Sequence, residues 1–197
     1  MIITKDDTIR EEIMEHAQIL FRQFGLKKTT MEDIAKSMGK GKSTLYYYFC
    51  SKEEIFDAVI LKEMGEVFAD VSMAVTKACT AEEKLKAFTL TKIRSVQKKA
   101  NLYKIVSGEM QDSIRCIKTL SSEYHLREVK LVKSILQFGV ANGEFTELII
   151  KELDVLPAVM VSSLHGIERD LFIDGKFGKL EKRMGAIMGI MMNGLKK

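Results

Sequence analysis

The sequence predicts an all-α protein. Apolar residues recur at the three- and four-residue spacing of buried helix faces along nearly the whole chain. The alternation of β-branched and polar residues that is typical of strands is scarce, and the 197 residues include a single proline. We therefore predict about nine helices, with a domain of short helices in residues 1–50 and a domain of longer helices in residues 51–197.

Three short helices are predicted in the first fifty residues. The first ends at Gly25, and its buried face is formed by Ile9, Ile13, Ala17, Leu20 and Phe24. The second lies in the stretch TTMEDIAKSMG, where Thr29 with Glu32 and Thr30 with Asp33 both have the spacing of a capping box. The register of this helix start is therefore open.

The third helix is predicted from near Lys42 to Phe49. Leu45 and Phe49 are four residues apart and should face inward together. A turn of about three residues that contains Gly39 and Gly41 separates this helix from the second one.

Longer helices follow, at about 51–77, 81–100, 102–118, 121–142, 151–173 and 177–195. Ser51 and Glu54 have capping-box spacing at the start of the first of these. Pro157 leaves two possibilities open: either Asp154 caps its helix and the proline lies in the first turn, or the helix is kinked.

Composition excludes several classes of protein. The net charge of +4 is small, and Cys50, Cys79 and Cys116 lack the paired spacing of a disulfide framework or a zinc site. The three histidines lie on different segments and no HExxH motif occurs, so we expect no metal, no cofactor and no catalysis. The N-terminus is not a secretion signal and no apolar run is long enough for a membrane span, which predicts a cytoplasmic protein.

The stretch Gly41-Lys42-Ser43-Thr44 matches the end of a nucleotide-binding loop. Such a loop needs a glycine five positions before Gly41, where this chain has Lys36, and it must follow a β-strand. The segment before it is helical by its spacing and caps. We therefore exclude a nucleotide-binding loop.

Two short helices joined by a tight turn are typical of a helix–turn–helix. At this point the chain resembles the TetR family of bacterial transcriptional regulators. The resemblance is carried over residues 8–60 by Phe21, Gly25, TTMEDIAKSMG, KSTLYYYF and the stretch SKEE at 51–54. It implies a repressor that binds a palindromic operator in double-stranded DNA as a homodimer and is released by a small-molecule effector. The alternative is a helical adaptor or structural protein without DNA binding.

From Ile34 to Lys52 inclusive the chain has four lysines and no acidic residue, and such a basic segment favours contact with phosphates. The resemblance implies that Lys42, Ser43 and Thr44 face bases. It implies backbone contacts from Thr30, Tyr46, Tyr48 and Lys52. The full set that we predict to meet DNA is Thr30, Lys40, Lys42, Ser43, Thr44, Tyr46, Tyr47, Tyr48 and Lys52. Tyr46 is equally suited to packing, and Lys40-Gly41 departs from the family pattern.

The remaining predictions concern the second domain. The resemblance implies that the last two helices form the homodimer, with an interface at Met184, Gly185, Met188, Gly189 and Met192. Alternatively, the two glycines only allow close packing within one subunit. The middle helices should enclose the effector, and the candidate lining residues are Phe68, Phe88, Tyr103, Met110, Tyr124, Phe138, Met160, His165 and Arg169. Each of these is also compatible with an ordinary core position.

Overall fold

The computed structural model describes residues 5–99, 115–172 and 180–196. These ranges contain nine α-helices, and no strand occurs within them: α1 Lys5–Phe24, α2 Met31–Ser37, α3 Lys42–Tyr48, α4 Lys52–Lys77, α5 Ala81–Lys98, α6 Arg115–Ala141, α7 Ile149–Glu152, α8 Leu156–Phe172 and α9 Leu180–Asn193. The prediction of an all-α fold is confirmed. The helix predicted at 102–118 falls mostly outside the described residues, and α6 begins earlier than the predicted residue 121.

The described residues pack as two compact units. We call residues 5–64 and 115–118 the first unit, and residues 65–99, 119–172 and 180–196 the second unit. One division falls inside α4, between Met64 and Gly65, so the first unit contains α1, α2, α3, the first half of α4 and the first residues of α6. The domain boundary at residue 50 stays a prediction.

The start of α2 adopts the second of the two registers. The Asp33 N–H donates to the Thr30 hydroxyl at 3.1 Å, and the Thr30 N–H donates to the Asp33 carboxylate at 3.0 Å. The Thr30 hydroxyl also donates to the Asp33 carboxylate at 2.6 Å, and this bond, followed by that from the Thr30 N–H, holds the pKa of Asp33 below its ordinary value. The Thr29 hydroxyl instead donates to the carbonyl of Gly25, whose φ of +82° is the left-handed conformation that ends α1.

The predicted capping box at the start of α4 is only half formed. The Glu54 N–H donates to the Ser51 hydroxyl at 3.2 Å, as the spacing predicts. The Glu54 carboxylate, however, accepts from the Cys50 N–H at 2.6 Å. The reciprocal bond is thus displaced by one residue, and it lies in the linker between α3 and α4.

The helix predicted at 151–173 is two helices. The chain turns at residues 153–155, which separate α7 from α8, and Pro157 is the second residue of α8. Proline is tolerated in a first turn because its missing N–H has no intrahelical partner there. Asp154 pairs with Lys133 at 2.8 Å. Of the two possibilities, the first-turn position of Pro157 is therefore correct.

Each unit has its own apolar core. In the first unit the rings of Phe21 and Phe56 meet edge to face at 5.2 Å between centroids, and both are fully buried. In the second unit Phe145 is buried against α6 at Gly139. A Cβ atom at Gly139 would lie 2.3 Å from the Phe145 ring, so only glycine fits this close approach.

Candidate functional site

Helix α3 is held in place by two side chains of one face. Leu45 and Phe49 are 0% and 1% exposed, which confirms their predicted inward orientation. The helix begins after Gly41, which offers no side-chain cap, and its first turn contains no acidic residue. The positive end of the α3 dipole is therefore not neutralised by this helix itself, which is favourable for an approaching phosphate.

The other side chains of α3 remain available for contacts. Lys42 and Ser43 are exposed and Thr44 is half-buried. Tyr46 is 48% exposed and Tyr47 is 76% exposed, so Tyr46 is not a core residue. Hydroxyls, a lysine and phenol rings on one exposed helix surface are suited to base edges and phosphate oxygens.

Two predicted DNA contacts are already paired with carboxylates of α1. The Tyr48 hydroxyl donates to Asp6 at 2.9 Å, and the Lys40 ammonium lies 2.6 Å from Glu12. Desolvation, followed by the hydrogen bond to Asp6, raises the pKa of Tyr48 above its ordinary value. A phosphate contact donated by Tyr48 would have to replace its bond to Asp6, because a phenol has one donor, whereas the Lys40 ammonium has donors besides the one directed at Glu12.

Lys52 is turned toward the backbone of the first unit. Its ammonium donates to the carbonyl oxygens of Leu26 at 2.8 Å, Lys27 at 3.3 Å and Thr29 at 2.9 Å. An ammonium group has three donors, so this arrangement uses all of them. Lys52 therefore fastens the start of α4 to the turn between α1 and α2. The Thr30 hydroxyl also has a partner already, because it accepts a hydrogen bond from the Asp33 N–H at the start of α2.

Comparison with known proteins identifies this arrangement. The family model described as "Bacterial regulatory proteins, tetR family" matches residues 13–59, which contain α2, the turn and α3. This match and the relatives below support a TetR-family regulator. The chain is a DNA-binding transcriptional regulator, and regulators of the TetR family are transcription factors, not enzymes.

Several proteins resemble this chain over most of their length. The chain is 27% identical to the HTH-type transcriptional repressor KstR2 of Rhodococcus jostii over 145 residues, which are 73% of this chain and 71% of the relative. A transcriptional regulator from Cytophaga hutchinsonii has the same fold with a TM-score of 0.78, at 27% identity over 95% of this chain and 98% of that one. FadR from Bacillus subtilis, solved with stearoyl-CoA, shares the fold with a TM-score of 0.74, at 19% identity over 94% and 98% of the two chains.

In this regulator the predicted ligand-binding residues differ in how far they are buried. Phe88 is part of the core, and Phe138 is 38% exposed with the Lys84 ammonium 5.3 Å above its ring. The half-buried rings of Phe68 and Tyr124 lie 6.4 Å apart. Met160 is half-buried at the edge of the core. Tyr103, Met110 and the side chain of Arg169 are outside the described residues.

His165 belongs to a buried polar cluster that the sequence analysis missed. We define the polar cluster as Lys92 of α5, Glu128 of α6, and His165 and Glu168 of α8; the two glutamates and the lysine are buried. The Lys92 ammonium bonds Glu128, and the His165 Nε2 lies 2.8 Å from Glu128 and 2.6 Å from the Lys92 ammonium. Glu168 is more distant, with its Oε1 atom 3.8 Å from the Lys92 ammonium.

A signal in the sequence could have revealed this cluster. Lys92 lies four residues after the buried Phe88, Glu128 lies four before the buried Val132, and Glu168 follows Leu164 at the same spacing. Charged residues in the register of an apolar face are seldom buried without partners. Three such positions on three helices therefore indicate a shared polar site.

The two buried carboxylates of the polar cluster have opposite pKa shifts. Burial raises the pKa of Glu128, but the bond from His165 and the Lys92 charge outweigh burial and leave its pKa below the ordinary value. For Glu168, burial dominates over the more distant charges and raises its pKa to about 7.

A pH dependence of stability follows from Glu168. Because its pKa rises from 4.5 to about 7 on folding, its stabilising contribution is complete below its unfolded pKa and is lost as pH rises through the folded pKa. Relative to Glu168→Gln, we expect the wild-type free energy of unfolding to fall by about 1–3 kcal/mol between about pH 5 and pH 8. Urea denaturation across this range measures it, and a difference that stays constant with pH would contradict it.

The predicted dimer residues separate into two groups. Met184, Met188 and Met192 lie in the core of the second unit, so they do not form an outer surface, and this corrects the prediction for them. A Cβ atom at Gly185 or Gly189 would meet nothing within 4 Å. The glycines therefore do not serve packing within the described subunit.

The described residues contain neither a metal-binding group nor a membrane-spanning helix. They contain no group of three or more histidine, cysteine, aspartate or glutamate side chains placed to hold a metal ion. Within the same ranges no helix is both long and apolar enough to cross a membrane. An open depression of about 410 Å³ lies between α1 and α2, away from all the predicted ligand-binding residues, lined by Leu20, Phe24, Lys28, Thr29, Asp33, Lys36 and Ser37.

Proposed function

We propose that this regulator is a cytoplasmic repressor that binds a palindromic operator as a homodimer and is released when a small molecule binds the second unit. The observation that carries the proposal is α3, which is anchored by Leu45 and Phe49 and leaves its polar side chains exposed. Selection of bound DNA from a random pool tests the proposal. A palindromic consensus that also occurs upstream of genes of the host supports it, and recovery of no preferred sequence would overturn it.

Direct contacts with DNA are proposed for the side chains that are not already paired in the free protein. Lys42, Ser43 and Thr44 lie at the start of α3, where a helix in the major groove meets base edges. Tyr47 is the most exposed aromatic residue of the helix. For Thr30, Lys40, Tyr48 and Lys52 we propose that they position the helices, because their polar groups already have partners.

Thr44→Ala is expected to erode discrimination at one or two operator base pairs, at a cost of about 1–3 kcal/mol, because the threonine side chain reads base edges. Affinity for random DNA should stay unchanged. Gel-shift titrations with the operator, single-base variants and random DNA measure the effect, and Thr76→Ala on the exposed part of α4 is the matched control. An equal loss on random DNA would show that Thr44 does not read sequence.

The homodimer is proposed to form through the outer faces of α8 and α9. In spite of the buried methionines, these faces and the residue before α8 carry exposed apolar and small residues, Val155, Val159, Gly185, Ala186 and Ile190, and the half-buried glycines Gly166 and Gly189. Glycines in the middle of such a face allow a second helix to approach closely. Two copies joined in this way can engage half-sites about 34 Å apart on one side of the duplex.

Ile190→Asp is expected to dissociate the dimer, because it places a charge in the centre of the proposed apolar interface, where Ile190 is 74% exposed in the single chain. The dimer dissociation constant should rise at least about 10-fold. Sedimentation velocity over a concentration series measures this constant. Ile19→Asp, which changes a similarly exposed isoleucine of the first unit, should leave it unchanged; equal effects of the two variants would contradict the proposed interface.

Release of the operator is proposed to be a shift between two conformations of the dimer. An effector that binds one of them more tightly changes the separation of the two α3 helices through α4, which runs from one unit into the other. Two proteins of similar fold are the ketosteroid transcriptional regulator KstR2 of Mycobacterium tuberculosis and FadR of Bacillus subtilis, which was solved with stearoyl-CoA. These two relatives support a small molecule with an apolar body as the effector of this chain.

A further inference from the structure

Glu168 is a buried carboxylate with an unused acceptor atom. The residue is 8% exposed, and its Oε1 atom has no hydrogen-bond partner among the described residues. Buried polar atoms in native proteins are nearly always hydrogen-bonded, so an exception in a folded core requires an explanation. A ligand that donates a hydrogen bond to Oε1 would satisfy this carboxylate.

The neighbouring groups cannot supply that donor. The Lys92 ammonium and the His165 ring both converge on Oε2 of Glu128, at hydrogen-bond distance, while Lys92 stays 3.8 Å from Glu168. Oε2 of Glu128 thereby takes part in two short contacts, whereas Oε1 of Glu168 accepts no hydrogen bond among the described residues and has only the distant Lys92 charge. An incoming group at Glu168 therefore gains most if it donates a hydrogen bond and carries positive charge.

The polar cluster is accessible from one side. The His165 side chain is 37% exposed, and its ring lies 5.3 Å from the half-buried ring of His125. The two histidines thus form the outer edge of the cluster, and the carboxylates lie beneath them. A negatively charged headgroup at this position would approach a buried carboxylate whose Oε1 atom accepts no hydrogen bond, which is unfavourable in a medium of low dielectric constant.

We propose that the polar cluster is the polar end of the effector site and that Glu168 accepts a hydrogen bond from a protonated amine of the effector. The inference rests on the proposed function, since it names the chemical class of the molecule that the second unit binds. The effector of this chain would therefore carry a positively charged headgroup, and not a carboxylate or a phosphate.

Matched pairs of small molecules test the charge preference. The probes are n-octylamine, 2-phenylethylamine and cyclohexylmethylamine, each with the carboxylate of the same carbon skeleton. We expect at least one amine to raise the melting temperature of the full-length protein, and to bind at least about 10-fold more tightly than its carboxylate partner in calorimetry. Binding by none of the amines, or tighter binding of the carboxylates, would overturn the proposal.

The Glu168→Gln variant tests whether Glu168 causes the preference for amines. The amide keeps the size of the side chain and removes its charge, so the affinity for the amine should fall about 10- to 100-fold. Glu152→Gln, which removes an exposed carboxylate of α7, is the matched control and should bind the amine as the wild type does. Equal amine affinity in the wild type and in Glu168→Gln would place the amine elsewhere.

Proton release is an independent readout. Burial raises the pKa of Glu168 to about 7, with the charges of Lys92, His165 and Glu128 as the other influences on it. A bound ammonium should lower that pKa and release up to about half a proton near pH 7. Calorimetry in two buffers of different ionisation enthalpy measures this release, which should disappear in Glu168→Gln; release that persists in the variant would exclude Glu168 as its source.

The two proposals fail in different ways. Specific operator binding without any preference for amines overturns the inference and leaves the proposed function standing. Amine binding with proton release from Glu168, but without any specific DNA binding, overturns the proposed function instead.

Discussion

Lys92→Met is expected to lower the free energy of unfolding by about 3–5 kcal/mol, the largest effect of any single substitution considered for the second unit. Lys92 is buried, and its ammonium bonds Glu128 and lies 3.8 Å from Glu168. Methionine fills a similar volume but leaves two buried carboxylates without a cation. The cost comes from these unpaired charges and not from a cavity, which distinguishes it from the loss of an apolar side chain.

Urea denaturation at about pH 8 and pH 5 measures this effect and its cause. Part of the loss should be recovered at the lower pH, because a carboxyl without a cation can then become neutral by protonation. Lys86→Met is the control, since Lys86 forms a partly exposed pair with Glu82 and its loss should cost less than about 1 kcal/mol. A Lys92→Met protein as stable as the control at pH 8 would show that Lys92 does not neutralise the cluster.

Lys52→Met is expected to weaken operator binding at least about 10-fold without reducing its salt dependence. The reason is that the Lys52 ammonium donates to three backbone carbonyls at the turn between α1 and α2. Loss of these bonds should also lower the free energy of unfolding by about 2 kcal/mol. α2 and α3 would then be held less firmly in the orientation that DNA requires.

The salt dependence separates positioning from direct contact. If Lys52 met a phosphate, its replacement would lower the slope of log affinity against log salt by about 1. Lys42→Met, at the exposed start of α3, is the control for which that decrease is expected. A reduced slope with unchanged thermal stability in Lys52→Met would restore Lys52 as a phosphate contact.

The sequence predicted the first unit well because the signals there are local. Gly25 ends α1, and Leu45 with Phe49 fixes the buried face of α3 within a few residues of chain. Only the register at Thr29 or Thr30 stayed open, since both threonines have an acidic residue three positions later. The structure decides between them because the Thr29 hydroxyl is already used by the Gly25 carbonyl.

The second unit was less predictable because its decisive contacts join distant segments. Lys92, Glu128 and Glu168 come from three helices, and each taken alone is an ordinary charged residue. The stripe of methionines in α9 identified an apolar face correctly, but periodicity does not tell whether that face meets its own chain or a second copy. Burial of Met188 shows that the methionine face of α9 packs against its own chain, and it says nothing about the other face of the helix.

The seven residues of α3 divide their tasks in a way that bears on how such regulators diverge. Attachment to the first unit depends on Leu45 and on Phe49, which follows the helix, whereas Lys42, Ser43, Thr44 and Tyr47 leave the core largely untouched. Substitution of the exposed residues should therefore change the free energy of unfolding only slightly. Preference for a new operator can arise by single substitutions in a helix whose folding stays constant, so this scaffold is open to rapid change of its target genes.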